Sequence, residues 1–313
     1  MAQAQTETKH TTLYFEDGDL ELSAEAADGS RYLFRVYRAQ LGRVSPVFRD
    51  MFAMGGARNE SVRMYDPAED LADFLESVYM PSSLTRRLKR TTPARTALEL
   101  AGLCRAATKY GVEDIVAVVV EHIADQWPKT LAEWDASYPV WTSSRASAET
   151  VENVPEPVSA IRFAREFDLP SILPAAYYFL SVQSTNVDSP SPPPAVLPVA
   201  RWDLVDLDIL LCLMRGRDRV RRAALPALKA SWYDDYENGC KDSEAKNAHV
   251  AALLRGDDAA ALHEQYDHLE ILRRFASKDF QPRNLCSSCR NADTIATEAK
   301  RAAIWQSLPE LFE

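Results

Sequence analysis

Residues 31–52 read RYLFRVYRAQLGRVSPVFRDMF, and this segment contains the two patterns from which the N-terminal fold is predicted. Its first half is an apolar run typical of a strand and contains Leu33, Phe34, Val36 and Tyr37. Its second half returns to apolar residues at steps of three and four, as an amphipathic helix does. The helical positions are Leu41, Val44, Phe48, Met51 and Phe52. The stretch therefore predicts a strand that leads directly into a helix.

Two further strands are predicted around this stretch. Residues 13–22 (LYFEDGDLEL) have strand composition, and Asp28-Gly29 occupies a turn between them and the next strand, so the unit begins as a hairpin. Residues 61–66 (SVRMYD) alternate apolar and polar side chains and predict a third short strand. The polar residues 1–11 are predicted to be a flexible N-terminus.

Helices are predicted after these strands. Residues 71–79 carry apolar side chains on one helical face, with Asp70 placed as the cap and Pro81 after the end. The basic run Arg86–Arg90 is predicted to be a solvated loop. Residues 95–127 then predict two helices that are separated at Gly111.

The N-terminal part resembles the BTB/POZ interaction domain, in the form found in fungal proteins. The matching elements are a DGDL strand, an FRV-R strand and an SPVFRDMF helix, with Lys109-Tyr110-Gly111 and Glu113-Asp114-Ile115 where the family has an "A-KY" element and the start of its last helix. The resemblance covers residues 12–130. It implies an α+β fold of short strands packed on a helical cluster, and a role in protein–protein interaction.

The resemblance also implies an interface. In the family, an acid on the first strand and a basic residue at the first helix form a charged pocket at the dimer interface, and Asp19 and Arg38 occupy these places. Tyr37 stands where the family often has histidine. A simple structural ion pair is the alternative for Asp19 and Arg38. Part of the apolar helical face is expected to contact a second subunit, through Leu41, Val44, Phe48, Met51 and Phe52.

Partner classes follow from the same resemblance. It implies a symmetric homodimer, with recruitment of a cullin-type ubiquitin-ligase scaffold or a transcriptional regulator. Motifs of common enzyme classes, such as G-x-S-x-G, the Walker A loop and H-E-x-x-H, do not occur in the sequence. We therefore expect a non-enzymatic interaction protein.

The rest of the chain is predicted to be helical. Residues 131–185 form a helical extension, in which Tyr138–Pro157 is a loop and residues 161–180 repeat the plan around Gly111, aligning Tyr110-Gly111-Val112 with Phe167-Asp168-Leu169. Residues 186–198 (NVDSPSPPPAVLP) are a proline-rich linker. Residues 199–313 form a helical C-terminal region. Its helices are predicted over residues 204–222, broken at Gly216, over 262–275, and over 293–308, ended by Pro309.

The strongest signal for metal chemistry is Cys286-Ser287-Ser288-Cys289, because a C-x-x-C pair can present two thiolates to one zinc ion. Cys240 is the third candidate ligand, with His249, His263 or His268 as the fourth. Two interpretations stay open, a structural zinc site and a pair of reduced thiols that cap the last helix. A metal-dependent enzyme that uses these cysteines is the first alternative function. Cys104 and Cys212 lie on apolar helical faces and are predicted to be core residues.

Charge and composition limit the other classes. The formal net charge is −10, from 46 acidic and 36 basic residues, which disfavours broad attraction to nucleic acid or anionic lipid. A nucleic-acid-binding regulator that uses Arg86–Arg90 and Arg215–Arg222 is the second alternative function. No window of about 18 apolar residues occurs, and the N-terminus lacks a secretion signal. We therefore expect an intracellular protein, cytoplasmic or nuclear, with its five cysteines reduced.

Overall fold

The structure is a computed structural model, and it describes residues 7–54, 61–141, 152–183, 200–230, 267–277 and 287–313. It is mixed α+β, with a small four-stranded sheet near the N-terminus and a mostly helical remainder. The chain divides into two compact units. Unit 1 comprises residues 1–126, 152–155 and 166–169, and unit 2 comprises residues 127–151, 156–165 and 170–313.

The sheet of unit 1 has the strand order β1-β3-β2-β4. Its strands are β1 (Glu7–Tyr14), β2 (Leu20–Glu25), β3 (Arg31–Val36) and β4 (Val62–Pro67). The central pair, β2 and β3, is antiparallel, whereas β1 runs parallel to β3 and β4 parallel to β2. The hairpin turns at the Asp28-Gly29 dipeptide, where Gly29 has a φ of 82° that favours glycine.

The first predicted strand was wrong in its limits. Residues 13–22 are divided between the end of β1 and the start of β2, and the DGD segment turns between them. Gly18 makes the close approach possible, because a Cβ there would lie 3.0 Å from the backbone nitrogen of Val36. The flexible N-terminus was also predicted too long, since Glu7 onwards belongs to β1, whose mostly exposed side chains hide it from hydrophobic patterning.

Six helices of unit 1 follow among the described residues. They are α1 (Arg38–Val44), α2 (Pro46–Ala53), α3 (Ala68–Tyr79), α4 (Pro81–Arg90), α5 (Pro93–Lys109) and α6 (Glu113–Ala124). The core lies between the sheet and the helices and is filled by aliphatic and aromatic side chains. Fully buried members include Leu22, Phe34, Leu71, Phe74 and Leu103.

Three predictions for these helices were wrong. The single helix predicted after β3 is two helices, because Ser45 has extended backbone and Pro46 starts a new helix. Asp70 does not cap α3, which begins two residues earlier, after Pro67. The basic run Arg86–Arg90 is not a loop but the second half of α4, a helix none of whose residues is buried.

Unit 2 is helical in its described part. Its helices are α7 (Leu131–Trp141), α8 (Pro157–Glu166), α9 (Leu173–Val182), α10 (Leu207–Ala230), α11 (His268–Ala276) and α12 (Ser287–Leu311), with short 3₁₀ turns at Pro170–Ile172 and Trp202–Leu204. The last residue of α8 belongs to unit 1. An aromatic cluster fills the core around Trp134, whose ring centroid lies 5.2 Å from that of Tyr178 and 5.6 Å from that of Trp305.

The turns that the sequence aligned share one backbone feature. Gly111 has a φ of 70°, and Asp168 has a φ of 52°, the one positive φ among the described residues other than glycine. Gly111 follows α5 and Asp168 follows α8, so each of these helices is terminated by a residue in the left-handed conformation. Aspartate is one of the few residue types other than glycine that tolerate this conformation.

The limits of three elements in unit 2 also differ from prediction. Tyr138 lies in α7, although the sequence predicted a loop from that residue. Pro309 lies inside α12 rather than after it. Gly216 does not break α10, which runs through it. Its missing side chain makes room for the ring of Phe312, which a Cβ at that position would overlap.

Candidate interaction surface

Ser45 organises the junction between α1 and α2. Its hydroxyl oxygen accepts a hydrogen bond from the backbone N–H of Phe48 at 3.2 Å, which caps the start of α2. The same hydroxyl donates to the backbone carbonyl of Tyr110 at 2.6 Å. Ser45 is fully buried, so these two bonds satisfy a polar group that water cannot reach.

The turn after α5 supports this junction from the other side. A Cβ at Gly111 would lie 2.8 Å from Cγ of Pro46, so the backbone of the turn approaches α2 more closely than another residue allows. The ring of Tyr110 stacks on that of Phe48, with centroids 4.6 Å apart. The Tyr110 hydroxyl is hydrogen-bonded to Asp66 at the end of β4. The turn after α5 therefore holds the start of α2 in place.

The predicted interface residues fall into two groups by burial. Leu41 and Phe48 are 0% and 1% exposed, so they belong to the core of unit 1. Val44 is exposed, and Met51 and Phe52 are half-buried. The structure thus leaves only the second group accessible to a partner.

Two apolar residues that the sequence analysis did not select complete the accessible group. Val47 is 45% exposed and Met54 is 82% exposed. With Met51 they lie four and seven residues apart along the helix and its end, on one side of α2. We call Val44, Val47, Met51 and Met54 the α1–α2 surface. Val47 could have been found in the sequence, because it stands one helical turn before Met51.

Asp19 and Arg38 are neighbours in the structure. The carboxylate of Asp19 accepts a hydrogen bond of 2.7 Å from the backbone N–H of Arg38, the first residue of α1. The guanidinium of Arg38 lies over the ring of Phe52, 4.7 Å from its centroid, in a cation–π contact. Asp19 therefore satisfies a free N–H at the start of α1, and Arg38 covers Phe52 at the border of the α1–α2 surface.

Aromatic residues fix the position of Tyr37, the residue directly before α1. The hydroxyl of Tyr79 donates to the carbonyl of Tyr37 at 2.7 Å, and the hydroxyl of Tyr37 donates to Asp17 at 2.7 Å. The bond to Asp17 raises the pKa of Tyr37, and burial raises the pKa of Tyr79. Both tyrosines therefore stay neutral hydrogen-bond donors at physiological pH. The ring of Phe15 stacks on Tyr37, with centroids 5.1 Å apart.

The basic run on α4 borders a polar cavity of about 490 Å³ between α3, α4 and the start of α5. Arg87 is paired with Asp73 on α3, and Arg95 with Glu99 at 2.6 Å. Arg86 and Arg90 line the same cavity and form no ion pair with another described residue. The acids Asp73, Glu76 and Glu99 offset most of this positive charge, so the cavity is of mixed charge.

The second basic segment, Arg215–Arg222, is largely used within unit 2. Arg217 donates to the carbonyl of Ser181 at 2.9 Å, and Arg219 to the carbonyl of Glu310 at 3.1 Å. Arg222 is paired with Asp218 at 2.7 Å. These contacts fix the ends of neighbouring helices, so fewer of these arginines are available to phosphate than the sequence suggests.

Four of the six predicted zinc ligands lie outside the described residues. Cys240, His249, His263 and Cys286 lie outside the described residues, and Cys289 lies in the first turn of α12, where its side chain is outside the description. His268 is a buried residue at the start of α11. Within the described part of the chain, no three His, Cys, Asp or Glu side chains are grouped as a metal site would need. The zinc site stays a prediction.

The two cysteines with described side chains differ in environment. Burial raises the pKa of Cys104 to about 12, so this thiol is an unreactive core group at neutral pH. Cys212 is half-buried, and its sulfur accepts a contact of 3.4 Å from the guanidinium of Arg165. The prediction of a small core residue thus fits Cys104 fully and Cys212 in part.

Neither the models of known protein families nor the curated proteins contain a match to this chain. Among the helices that the structure describes, none is both long enough and apolar enough to cross a membrane.

Proposed function

We propose that this chain is a protein–protein interaction protein of the BTB/POZ type, which forms a symmetric homodimer through the α1–α2 surface. The proposal starts from the family resemblance of residues 12–130. It is supported by the order of elements in unit 1, where the β2–β3 hairpin is followed by α1 and α2, then β4, then α3 and α4, and finally the helical pair α5 and α6.

The observation that carries the proposal is the accessible apolar surface on a fixed backbone. Val47, Met51 and Met54 present apolar side chains on one side of α2. Ser45 and the Tyr110–Gly111 turn hold the start of this helix in place. A cluster of exposed apolar residues is typical of an interaction site, whereas single ones are ordinary. A preformed surface also loses little conformational entropy when a partner binds.

A second partner is part of the proposal. The family resemblance suggests a cullin-type ubiquitin-ligase scaffold or a transcriptional regulator as the recruited protein. Such an adaptor needs one surface for its own dimer and another for the recruited protein. The mixed-charge cavity of α3–α5 has polar side chains suited to a charged segment of a partner.

The test compares two valines of matched exposure in unit 1. Val47 is 45% exposed on α2, and Val118 is 44% exposed on α6. The mass of the wild-type protein, of Val47→Glu and of Val118→Glu should be measured by sedimentation across a dilution series. We expect the wild type and Val118→Glu to be dimeric at micromolar concentration. Val47→Glu should weaken the dimer at least about tenfold, because a charge would have to be desolvated in the interface.

Two results would count against the proposal. A wild-type protein that stays monomeric across the micromolar range has no dimer of the predicted kind. A dimer that Val118→Glu weakens as much as Val47→Glu does uses a different surface. Circular dichroism of all three proteins ensures that a changed mass is not caused by unfolding.

A further inference from the structure

Helix α10 in unit 2 carries a second exposed apolar stripe. Leu207, Leu210, Leu211 and Met214 are 67%, 40%, 38% and 61% exposed. They are spaced at three, four and seven residues, so they form one continuous line along two turns of the helix. A single exposed leucine is unremarkable on a protein surface, but four in one line form a patch.

The opposite side of α10 already has its packing partners. Ile209, Leu213, Val220 and Ala224 are all buried, and Gly216 receives the ring of Phe312. The helix therefore uses one face for the core of unit 2. The stripe is not part of that core, and its apolar character needs a separate explanation.

Two charged residues beside the stripe are placed so that they could complement the same residues on a second copy of α10. Asp208 and Arg215 are both exposed, and neither forms an ion pair with another described residue. They are seven residues apart, so they lie on the same flank of the stripe, the acid near its start and the base near its end. A parallel copy would place its charged flank on the opposite side of the contact, whereas an antiparallel copy brings the two charged flanks together and places each acid near a base.

We propose that α10 is a self-association surface, on which two copies of the chain pair their helices antiparallel about a two-fold axis between Leu210 and Leu211. Each Leu210 then meets Leu211 of the second copy, and each Leu207 meets Met214. Asp208 comes near Arg215 of the second copy, with an offset of about 3 Å along the axis that the arginine side chain spans. The contact is isologous, so each pair of residues occurs twice.

The contact is expected to be weak because it is small. A stable interface buries about 800 Å² on each partner, and two turns of one helix offer less than this. Association through α10 should therefore depend on protein concentration. The inference is independent of the proposed function, because it rests on residues of unit 2 alone. If both surfaces operate, the wild-type protein associates beyond a dimer, since two different isologous contacts can link chains in series.

The first test removes the stripe. Leu211→Glu should be compared with Ile295→Glu, which changes an isolated apolar residue of unit 2 that is 65% exposed. The measurement is sedimentation over a concentration series in the Val47→Glu background, where the weakened α1–α2 surface contributes least. We expect Val47→Glu alone, and Val47→Glu with Ile295→Glu, to dimerise at high concentration. Val47→Glu with Leu211→Glu should stay monomeric.

The second test exchanges the charges. Asp208→Arg alone and Arg215→Asp alone should each weaken the association several-fold, because like charges then meet across the pair. The double variant Asp208→Arg, Arg215→Asp should restore it. The recovery identifies the antiparallel arrangement, since a parallel pair or an unrelated partner would not benefit from the exchange.

Three outcomes would overturn the inference. The first is a Val47→Glu protein that is monomeric at every concentration while the wild type is a dimer, which leaves the proposed function intact. The second is association that Leu211→Glu does not change. The third is a Leu211→Glu protein with a lowered unfolding temperature and unchanged mass, which would show that the chain's own residues cover the stripe.

Discussion

The hydroxyl of Ser45 donates a hydrogen bond of 2.6 Å to the backbone carbonyl of Tyr110, 65 residues further along the chain. The same oxygen accepts the N–H of Phe48 and so caps α2. One buried side chain thus begins the helix that bears the α1–α2 surface and joins it to the turn between α5 and α6. The stability of unit 1 and the position of this surface are therefore linked.

Ser45→Ala should lower the free energy of unfolding by about 2 kcal/mol, because the cap is lost and a buried carbonyl is left without its donor. Urea denaturation measures this change. Ser82→Ala is the matched control, since Ser82 is exposed in the first turn of α4, and it should change the free energy by less than about 0.5 kcal/mol. Equal effects of the two substitutions would contradict the role given to Ser45.

Val47 and Phe48 are adjacent in α2, but Val47 lies at the surface and Phe48 lies in the core. Phe48→Ala should cost about 3–5 kcal/mol of unfolding free energy, because it empties a packed site beside Tyr110. Val47→Ala should cost less than about 1 kcal/mol, since this side chain is largely exposed. Denaturation of both variants at low concentration, where association is negligible, tests the difference. A Phe48→Ala protein as stable as Val47→Ala would show that Phe48 is not a core residue.

The sequence predicted turns better than it predicted helix limits in unit 1. Asp28-Gly29 and Gly111 were placed correctly because their backbone conformation favours particular residue types. The break at Ser45 was missed because Leu41, Val44, Phe48 and Met51 keep a helical spacing across it. Periodicity reports which side chains share a face, and two helices in succession can share one.

Elements with little buried surface were the hardest to predict. Most side chains of β1 are exposed, so its first half has no alternation of apolar and polar residues to read. Helix α4 buries none of its residues and was therefore taken for a loop. At the candidate interface, the proximity of Asp19 to Arg38 was implied only by the family resemblance. The residue pattern could not divide the apolar residues between core and surface, because that division depends on the packing of Tyr110 and Gly111 against α2.

Gly111 should be less tolerant of substitution than Gly29, although both have positive φ. Gly29→Ala should cost about 1 kcal/mol for the left-handed backbone alone, because a Cβ there would meet no atom within 4 Å. Gly111→Ala should cost at least about 1 kcal/mol more, since its Cβ would press on Pro46 at 2.8 Å. Thermal or urea unfolding of the two variants measures the difference. Equal losses would contradict the close packing at Pro46.

Arg301 is a buried cation in unit 2 whose charge is compensated by two acidic partners. Its guanidinium binds Asp135 at 2.6 Å and Glu298 at 2.8 Å, and it also donates to the carbonyl of Leu269. Asp135→Ala should lower the free energy of unfolding by about 3 kcal/mol, because it leaves a buried charge poorly compensated. Glu298→Ala is the comparison and should cost clearly less, as Glu298 is the more exposed partner. A reversed order would show that Glu298 carries the compensation.

Asp267 should make the stability of unit 2 depend on pH. Burial raises the pKa of this carboxyl above its ordinary value of 3.8, although hydrogen bonds from Tyr138, from Tyr178 and from the backbone of Glu270 partly oppose the shift. Because the folded state favours the protonated form, the stabilisation is fully present below the unfolded pKa and is lost as the pH rises through the folded pKa.

Asp267→Asn keeps an oxygen that can cap α11 but does not titrate. The difference in unfolding free energy, wild type minus Asp267→Asn, should therefore fall as the pH is raised from about 4 to neutrality. Denaturation at several pH values measures it, and the subtraction removes the contributions of Asp70 and Asp73 in unit 1, whose pKa values burial also raises. A constant difference would mean that folding leaves the pKa of Asp267 unchanged, and a difference that increases with pH would mean that the folded protein stabilises its carboxylate.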